Sequence, residues 1–222
     1  MNWFSWVKVV CVMPVLWVDS FCYKNKSFSD RYLRLKWWAK QLIRAMDLRV
    51  EVKLSQPYSA AAKLILCNHQ GTFDPLYTIV EAPFEHTYIS KVENMKLPVV
   101  GRWAKLIDMI AFDRESVLQG AAMLKRSAKT LKEGRSLLVF PEGTRSRGNQ
   151  MNEFKVGAIL PAYLAKSSIV IMAIDQAYQR KNPIRVIWGK EFPYEDYRHI
   201  EKEVFIKQLE EEVKELKNSL FI

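Results

Sequence analysis

Leu64-Ile65-Leu66-Cys67-Asn68-His69-Gln70-Gly71-Thr72-Phe73-Asp74-Pro75 carries the reading from which the fold follows. The apolar run Leu64–Cys67 reads as a buried strand, since a turn-forming stretch bounds it at once. A histidine stands at the strand exit, Gly71 permits a tight turn, and Asp74-Pro75 starts a helix. Downstream, Leu137–Phe140 reads as a second buried strand, ended by Pro141. Working outward, Thr87–Ser90, Met109–Phe112 and Ile169–Ile174 read as further strands and Arg185–Trp188 as an edge strand. Val117, Ala121, Leu124, Ala128 and Leu131 recur at helical spacing, which predicts a helix over 117–132 stopped by Gly134. Val204–Leu220 predicts a closing helix with Phe205, Leu209, Val213, Leu216 and Leu220 on its inner stripe. Strands alternating with helices predict an α/β domain over residues 48–222: a central, mostly buried mixed sheet flanked by helices. Chemistry in such folds collects at the carboxyl ends of strands.

Residues 1–47 differ in character. The chain of 222 residues carries 34 Lys+Arg against 24 Asp+Glu, a net charge of +10, which points to a polyanionic partner. Trp3, Trp6, Trp17, Trp37 and Trp38 lie among Lys24, Lys26, Arg31, Arg34, Lys36, Lys40 and Arg44. Indole rings among cations suit a bilayer interface, so the partner reads as an anionic membrane surface. The run Trp3–Trp17 contains Lys8 and Pro14 and meets Asp19, short of the roughly 20 apolar residues of a spanning helix. No small-x-small cleavage site follows it. The expectation is an N-terminal membrane-interface helix pair: one helix lying in a leaflet, then a basic amphipathic helix near 31–46 with Leu35, Trp38, Leu42 and Met46 on one stripe. A core helix that happens to be N-terminal is the plainer alternative. Cys11, Cys22 and Cys67 form no C-x-x-C pair, which argues for a reducing compartment. With no H-E-x-x-H either, no metal site is expected.

Two loops could carry chemistry. The step from His69 to Asp74 lets the carboxylate reach one imidazole nitrogen, fix the tautomer and leave the other nitrogen free to take a proton. Alone, the pattern is more often a helix cap beside a structural histidine. Pro141-Glu142-Gly143-Thr144-Arg145-Ser146-Arg147 offers a glycine turn, hydroxyls and two guanidinium forks, a cradle for phosphate or a developing oxyanion. Alone, it is equally a charged turn. No G-x-x-x-x-G-K-[ST] or G-x-G-x-x-G is present, so nucleotide cradling is not supported.

In this order and spacing the two loops resemble the glycerolipid acyltransferase family, in particular the 1-acylglycerol-3-phosphate acyltransferases. The likeness runs from about Leu64 to Ile174 and takes in Tyr88-Ile89-Ser90-Lys91-Val92-Glu93, Leu97-Pro98, Gly101, Phe112-Asp113-Arg114 and Phe154-Lys155-Val156-Gly157-Ala158. The chain departs from the family at Asp108 and Ala111 in the second motif, and by lacking a proline in Ile169-Val170-Ile171-Met172.

The resemblance implies acyl transfer from acyl-CoA or acyl carrier protein, as cosubstrate, to the sn-2 hydroxyl of 1-acyl-sn-glycerol 3-phosphate, with no cofactor. His69 would be the general base and Asp74 its orienting partner. A neutral imidazole, with an ordinary pKa near 6.5, suits removal of a hydroxyl proton. Phosphate binding would fall to Arg145, with Lys91 as second cation and Arg114 or Arg147 helping. Gly143 and Thr144 are oxyanion candidates, and Glu142 would hold Arg145 or the turn. With no G-x-S-x-G elbow, direct transfer in a ternary complex is expected. His86 and His199 lie outside any motif and read as structural or solvent-exposed. The expected location is a membrane, at the cytoplasmic face. Two rivals stay open: a related acyltransferase acting on glycerol 3-phosphate or another lysophospholipid, and a non-catalytic module binding anionic lipid. Nucleic acid is disfavoured, because the aromatics cluster in the apolar N-terminal region rather than along a basic sheet face.

Overall fold

A computed structural model describes residues 3–113, 117–175, 177, 179 and 183–219. Two helices lead, α1 (Trp3–Cys22) and α2 (Phe28–Ala45). There follow β1 (Val50–Leu54), β2 (Lys63–Cys67), α3 (Asp74–Val80), β3 (His86–Lys91), α4 (Pro98–Leu106), β4 (Ile110–Phe112) and α5 (Val117–Lys132). The chain continues through β5 (Ser136–Val139), α6 (Leu160–Ala165), β6 (Ser168–Asp175), β7 (Ile184–Phe192), α7 (Tyr194–Tyr197) and α8 (Lys202–Asn218). The strands form one sheet in the order β1-β7-β6-β2-β5-β3-β4, parallel except for the antiparallel pair β6/β7.

β2 lies in the middle of this sheet and is buried along its length. Successive strand side chains point to opposite faces, so its apolar run feeds two cores. Ile65 and Cys67 join α1–α4 residues such as Leu16, Trp38, Tyr77 and Trp103. Leu64 and Leu66 join Leu131 of α5, Ala162 of α6 and Leu209 and Val213 of α8. A fully buried aliphatic side chain contributes about 1.5–3 kcal/mol, so this short strand anchors both layers. The crossover from β2 leads through α3 to β3, on the far side of β5, whereas the crossover from β5 leads through α6 to β6, on the far side of β2. The carboxyl ends of β2 and β5 therefore flank the point where the winding reverses, the usual place for a ligand crevice.

The mixed, buried sheet matches the reading of the sequence, but one edge does not. Arg185–Trp188 is no edge strand: β7 runs further and lies between β1 and β6. Its Val186, Ile187 and Trp188 are all buried, as an interior strand requires. The true edge is β1, whose Val50-Glu51-Val52-Lys53-Leu54 leaves alternate residues to solvent.

The N-terminal helices divide their apolar residues differently. Ser27 accepts from Asp30 N at 3.1 Å to start α2, and Trp38, Leu42 and Met46 then face the core shared with the sheet. The stripe expected to meet lipid therefore meets protein. α1 instead ties its polar groups to the rest of the protein. Ser5 and Lys8 donate to Asp47 at 2.6 and 2.7 Å, and Asp19 accepts from Arg34 Nε (2.8 Å) and Trp38 Nε1 (2.6 Å). Arg102 Nε donates to Ser20 Oγ at 2.6 Å. Outward it shows Trp3, Phe4, Trp6, Val10, Trp17 and Phe21, with Trp3 78% exposed. At 20 residues and a mean hydropathy of 1.5, α1 is long and apolar enough to cross a membrane by length and composition, beyond the limit set by reading the run only to Trp17.

Candidate active site

The exit of β2 is tied down before it reaches His69. Asn68 donates from its side-chain amide to the Ile174 carbonyl (2.9 Å) and accepts from Ile174 N (2.7 Å), which fixes the turn against β6. The chain then curls round Asp74. One oxygen of this fully buried carboxylate, Oδ2, accepts from Gln70 N (2.7 Å) and Gly71 N (2.9 Å) and meets His69 Nδ1 at 2.8 Å. Asp74 is thus more than a helix cap: the cap position of α3 is Phe73, without a side-chain hydrogen bond, and the carboxylate faces back into the turn. A Cβ on Gly71 would lie 3.3 Å from Asp74 Oδ1 and 3.5 Å from the Ala177 carbonyl, so glycine lets the turn close. The imidazole stacks on Phe140 at 4.1 Å between ring centroids, 18° between planes. With Nδ1 engaged and 19% of the side chain accessible, Nε2 is the nitrogen offered to a ligand.

The loop after β5 is sewn onto this turn. Glu142 is buried and bridges two backbone amides, accepting from His69 N through Oε1 (2.6 Å) and from Asn152 N through Oε2 (2.7 Å). Burial pushes its carboxyl above the ordinary range, against the pull of those two N–H groups. Ser146 donates from both N (2.8 Å) and Oγ (3.1 Å) to the His69 carbonyl, and Gln70 Nε2 donates to the Gly148 carbonyl (3.2 Å). Gly143 adopts φ +71°, a left-handed conformation that favours glycine, while its N–H donates to the Phe140 carbonyl at 3.1 Å. Arg145 Nη1 donates to Thr72 Oγ1 at 2.5 Å. Glu142 therefore holds the turn and the backbone of His69 rather than Arg145, and Thr72 is the partner of Arg145 that the sequence did not disclose.

These groups meet in one cavity of about 870 Å³. His69 lies on its wall together with Lys91, Gly143, Thr144, Arg145, Arg147 and Lys155. Asp74 and Glu142 stand behind that wall, and Arg114 lies outside the described residues. The lining also includes the apolar Ile89, Met109, Phe112, Met123 and Leu124. Ser90 and Asn94 also line it, joined by a bond from Asn94 Nδ2 to Ser90 Oγ of 2.9 Å. Their place just at or beyond the end of β3 was the available signal. A base, a cluster of guanidinium and ammonium donors and an apolar wall can together take a ligand with an anionic head, a hydroxyl and a hydrocarbon tail. Among the described residues no group of three or more His, Cys, Asp or Glu side chains converges as a metal site.

Comparison with known proteins agrees with this layout. Residues 49–175 match the model of the acyltransferase family. The chain is 36% identical over 132 residues to a probable 1-acyl-sn-glycerol-3-phosphate acyltransferase of Mycoplasma pneumoniae, covering 56% of this chain and 49% of that protein. Over 107 residues it is 33% identical to the 1-acyl-sn-glycerol-3-phosphate acyltransferase of Borreliella burgdorferi, across 48% of this chain and 43% of that one. It thus spans about half the length of these relatives, whereas a 28% identical match to the Bacillus subtilis 1-acyl-sn-glycerol-3-phosphate acyltransferase covers 83% of this chain and 98% of the other. The fold is that of the 1-acyl-sn-glycerophosphate acyltransferase PlsC from Thermotoga maritima, with a TM-score of 0.78 over 96% of this chain and 90% of that one at 20% identity. Since the matched region runs from β1 to the end of β6 and holds both loops of the cavity, this chain belongs to the acyltransferase family.

Proposed function

We propose that this protein transfers a fatty acyl group from acyl-CoA or acyl carrier protein to the sn-2 hydroxyl of 1-acyl-sn-glycerol 3-phosphate, giving phosphatidic acid in phospholipid biosynthesis. The observation that carries this reading is the position of the His69–Asp74 pair on the same cavity as Arg145, Lys91 and Arg147. His69 Nε2 takes the hydroxyl proton as the oxygen attacks the thioester carbonyl, and Asp74 holds Nδ1–H and balances the imidazolium. The tetrahedral oxyanion collapses, the C–S bond breaks, and the proton passes from His69 to the departing thiolate. General-base help of this kind gives about 10²–10⁴-fold. Arg145, with Lys91 and Arg147, grips the phosphate and places the hydroxyl near His69. Because the Gly143 amide is engaged with Phe140, the oxyanion role falls to Thr144. The apolar lining takes acyl chains.

The outward face of α1 supports membrane attachment, with its tryptophans at the interface and the basic surface towards anionic lipid; the cytoplasmic leaflet is our reading from the three free cysteines. The names of the relatives support the lysophosphatidic acid acceptor.

The test is a product assay. Purified protein in detergent is offered 1-acylglycerol 3-phosphate with acyl-CoA or acyl carrier protein, and the diacyl product is measured by mass spectrometry, with glycerol 3-phosphate and lysophosphatidylcholine as competing acceptors. Turnover that disappears in His69→Ala while lipid binding persists supports the assignment. Full turnover in that variant removes the mechanism, and lipid binding without any turnover in the wild type identifies a binding module instead. Attachment is tested by Trp6→Glu with Val10→Glu, which alters the outer face of α1 and leaves α2 in the core. The pair is expected to release the protein from anionic vesicles, and unchanged vesicle binding refutes the anchor.

A further inference from the structure

From the cavity wall, where Tyr88 and Pro75 lie, a buried hydrogen-bonded chain of four side chains from three elements runs inward. Tyr32 of α2 places its hydroxyl 3.0 Å from His86 Nδ1. His86 Nε2 lies 2.8 Å from the Tyr88 hydroxyl, which lies 3.0 Å from Thr78 Oγ1. Both of these hydroxyls reach the Pro75 carbonyl, Tyr88 at 3.2 Å and Thr78 at 3.1 Å. His86 and Thr78 have no exposure, and Tyr32 and Tyr88 are buried. Burial pushes the His86 imidazole down to about 3, so it is neutral throughout the working range.

A tyrosine hydroxyl has one proton to give. With that of Tyr88 on the Pro75 carbonyl, His86 donates from Nε2 and accepts at Nδ1 from Tyr32; the Phe84 carbonyl, 3.3 Å from His86 Nδ1 and 3.4 Å from the Tyr32 hydroxyl, is the competing partner that the opposite tautomer would use. Each donor is then used once, and the chain runs one way, from α2 to Pro75. Its endpoint matters because of where Pro75 stands. α3 has seven residues, starts at Asp74, lacks a side-chain cap, and has in Pro75 a residue with no N–H to tie down. Leu76 N and Tyr77 N bond to the Phe73 carbonyl, and the carbonyl of Pro75 is a further handle on this first turn. Polar groups set in an apolar cluster give little stability over apolar ones of the same shape, so a chain like this is better explained by what it positions.

We propose that Tyr88, His86 and Tyr32 are positioning residues for the proton-transferring pair: they fix the first turn of α3 through the Pro75 carbonyl and thereby set Asp74 against His69. The inference rests on the reading of His69 as the base.

Tyr88→Phe removes the hydroxyl and keeps the ring. The expected result is a kcat lowered roughly 10- to 100-fold with both KM values within about twofold, and a smaller effect in the same direction for Tyr32→Phe. In the same samples the downfield proton resonance of His69 Nδ1–H, hydrogen-bonded to Asp74, shifts or broadens in Tyr88→Phe. Nitrogen-15 spectra of the wild type show His86 as the Nε2–H tautomer, a measurement that stands whether or not a variant folds. A Tyr88→Phe protein that loses thermal stability but keeps kcat per folded molecule and the His69 resonance overturns the proposal, as does an Nδ1–H tautomer at His86. An active His69→Ala protein defeats the underlying reading; an inert one beside a normal Tyr88→Phe defeats only the chain.

Discussion

The turn after β2 and the loop after β5 meet across one cavity, yet they hold their charges in different ways. Asp74 is sealed from solvent and its Oδ2 gathers two backbone amides and one ring nitrogen within 2.9 Å. Arg145, Arg147 and Lys155 extend from the later loop onto an open wall, Arg145 resting on a single threonine hydroxyl. The difference follows the work each would do. Proton transfer depends on distances held to tenths of an ångström, so its carboxylate is enclosed. Attraction of an anion falls off slowly with distance, so its cations can stay mobile and wet. Substitutions in the first loop are therefore expected to act on kcat, and those in the second on the acceptor KM.

The largest expected effect tests the first half of that contrast. Oδ2 of Asp74 serves the Gln70 and Gly71 amides and His69 alike, so Asp74→Asn either keeps an oxygen there without the charge that balances the imidazolium or sets an N–H₂ against all three. Steady-state kinetics should give a kcat lower by about 10²–10⁴-fold with little change in acceptor KM. A raised KM at normal kcat would reverse the assignment of the loops. Next comes Arg145→Ala. A charge-assisted hydrogen bond is worth about 1.5–3 kcal/mol, so the acceptor KM should rise roughly 10- to 100-fold while the donor KM holds, with Arg145→Lys in between because it keeps the charge and loses the fork. An unchanged acceptor KM would place the phosphate elsewhere.

Glu142→Gln lies between the two loops and should act on both. Its carboxylate joins the His69 amide to the Asn152 amide, and glutamine can accept from only one of them. Leaving a buried donor unpaired costs about 1–3 kcal/mol, or several degrees in Tm at about 2–4 °C per kcal/mol for a chain of this size. Activity should fall about tenfold through kcat and KM together. An effect confined to KM would mean that Glu142 serves only its own loop.

Much of this arrangement was legible in the sequence, for physical reasons that also mark where legibility ends. Leu64–Cys67 and Leu137–Phe140 announced themselves because interior strands are uniformly apolar, and the histidine, glycine and aspartate of the first turn are close enough in sequence for their contact to be inferred. β1 was missed because a five-residue edge strand leaves most of its side chains half wet, and β7 was misplaced because strand order is a property of the whole sheet. The stripe on α2 was read correctly as a stripe, but periodicity does not say whether lipid or protein will cover it. The bridge from Glu142 to His69 N spans 73 positions and ends on a backbone atom, so no residue pattern records it. His86 was read as structural or solvent-exposed and is buried, while its link to Pro75 required the register of β3 against α3.

The smallest effects, at one glycine from each loop, sharpen the contrast further because the two are needed for opposite reasons. Gly71 has an ordinary backbone, and a methyl there would press on Asp74 Oδ1 from 3.3 Å and on the Ala177 carbonyl from 3.5 Å. A few tenths of an ångström of movement would accommodate it, and that movement falls on the carboxylate that orients His69. Gly143 has empty space where a Cβ would stand but sits at φ +71°, where an alanine costs about 1–2 kcal/mol of backbone strain. Gly71→Ala should therefore keep nearly all its stability and lose kcat by a few-fold, whereas Gly143→Ala should lose a few degrees in Tm and, if the turn relaxes, raise the acceptor KM by a similar factor. Melting curves and kinetics on the two proteins measure both. Were Gly71→Ala the less stable of the pair, or Gly143→Ala the one with the lower kcat, the enclosed loop and the open loop would have to exchange roles.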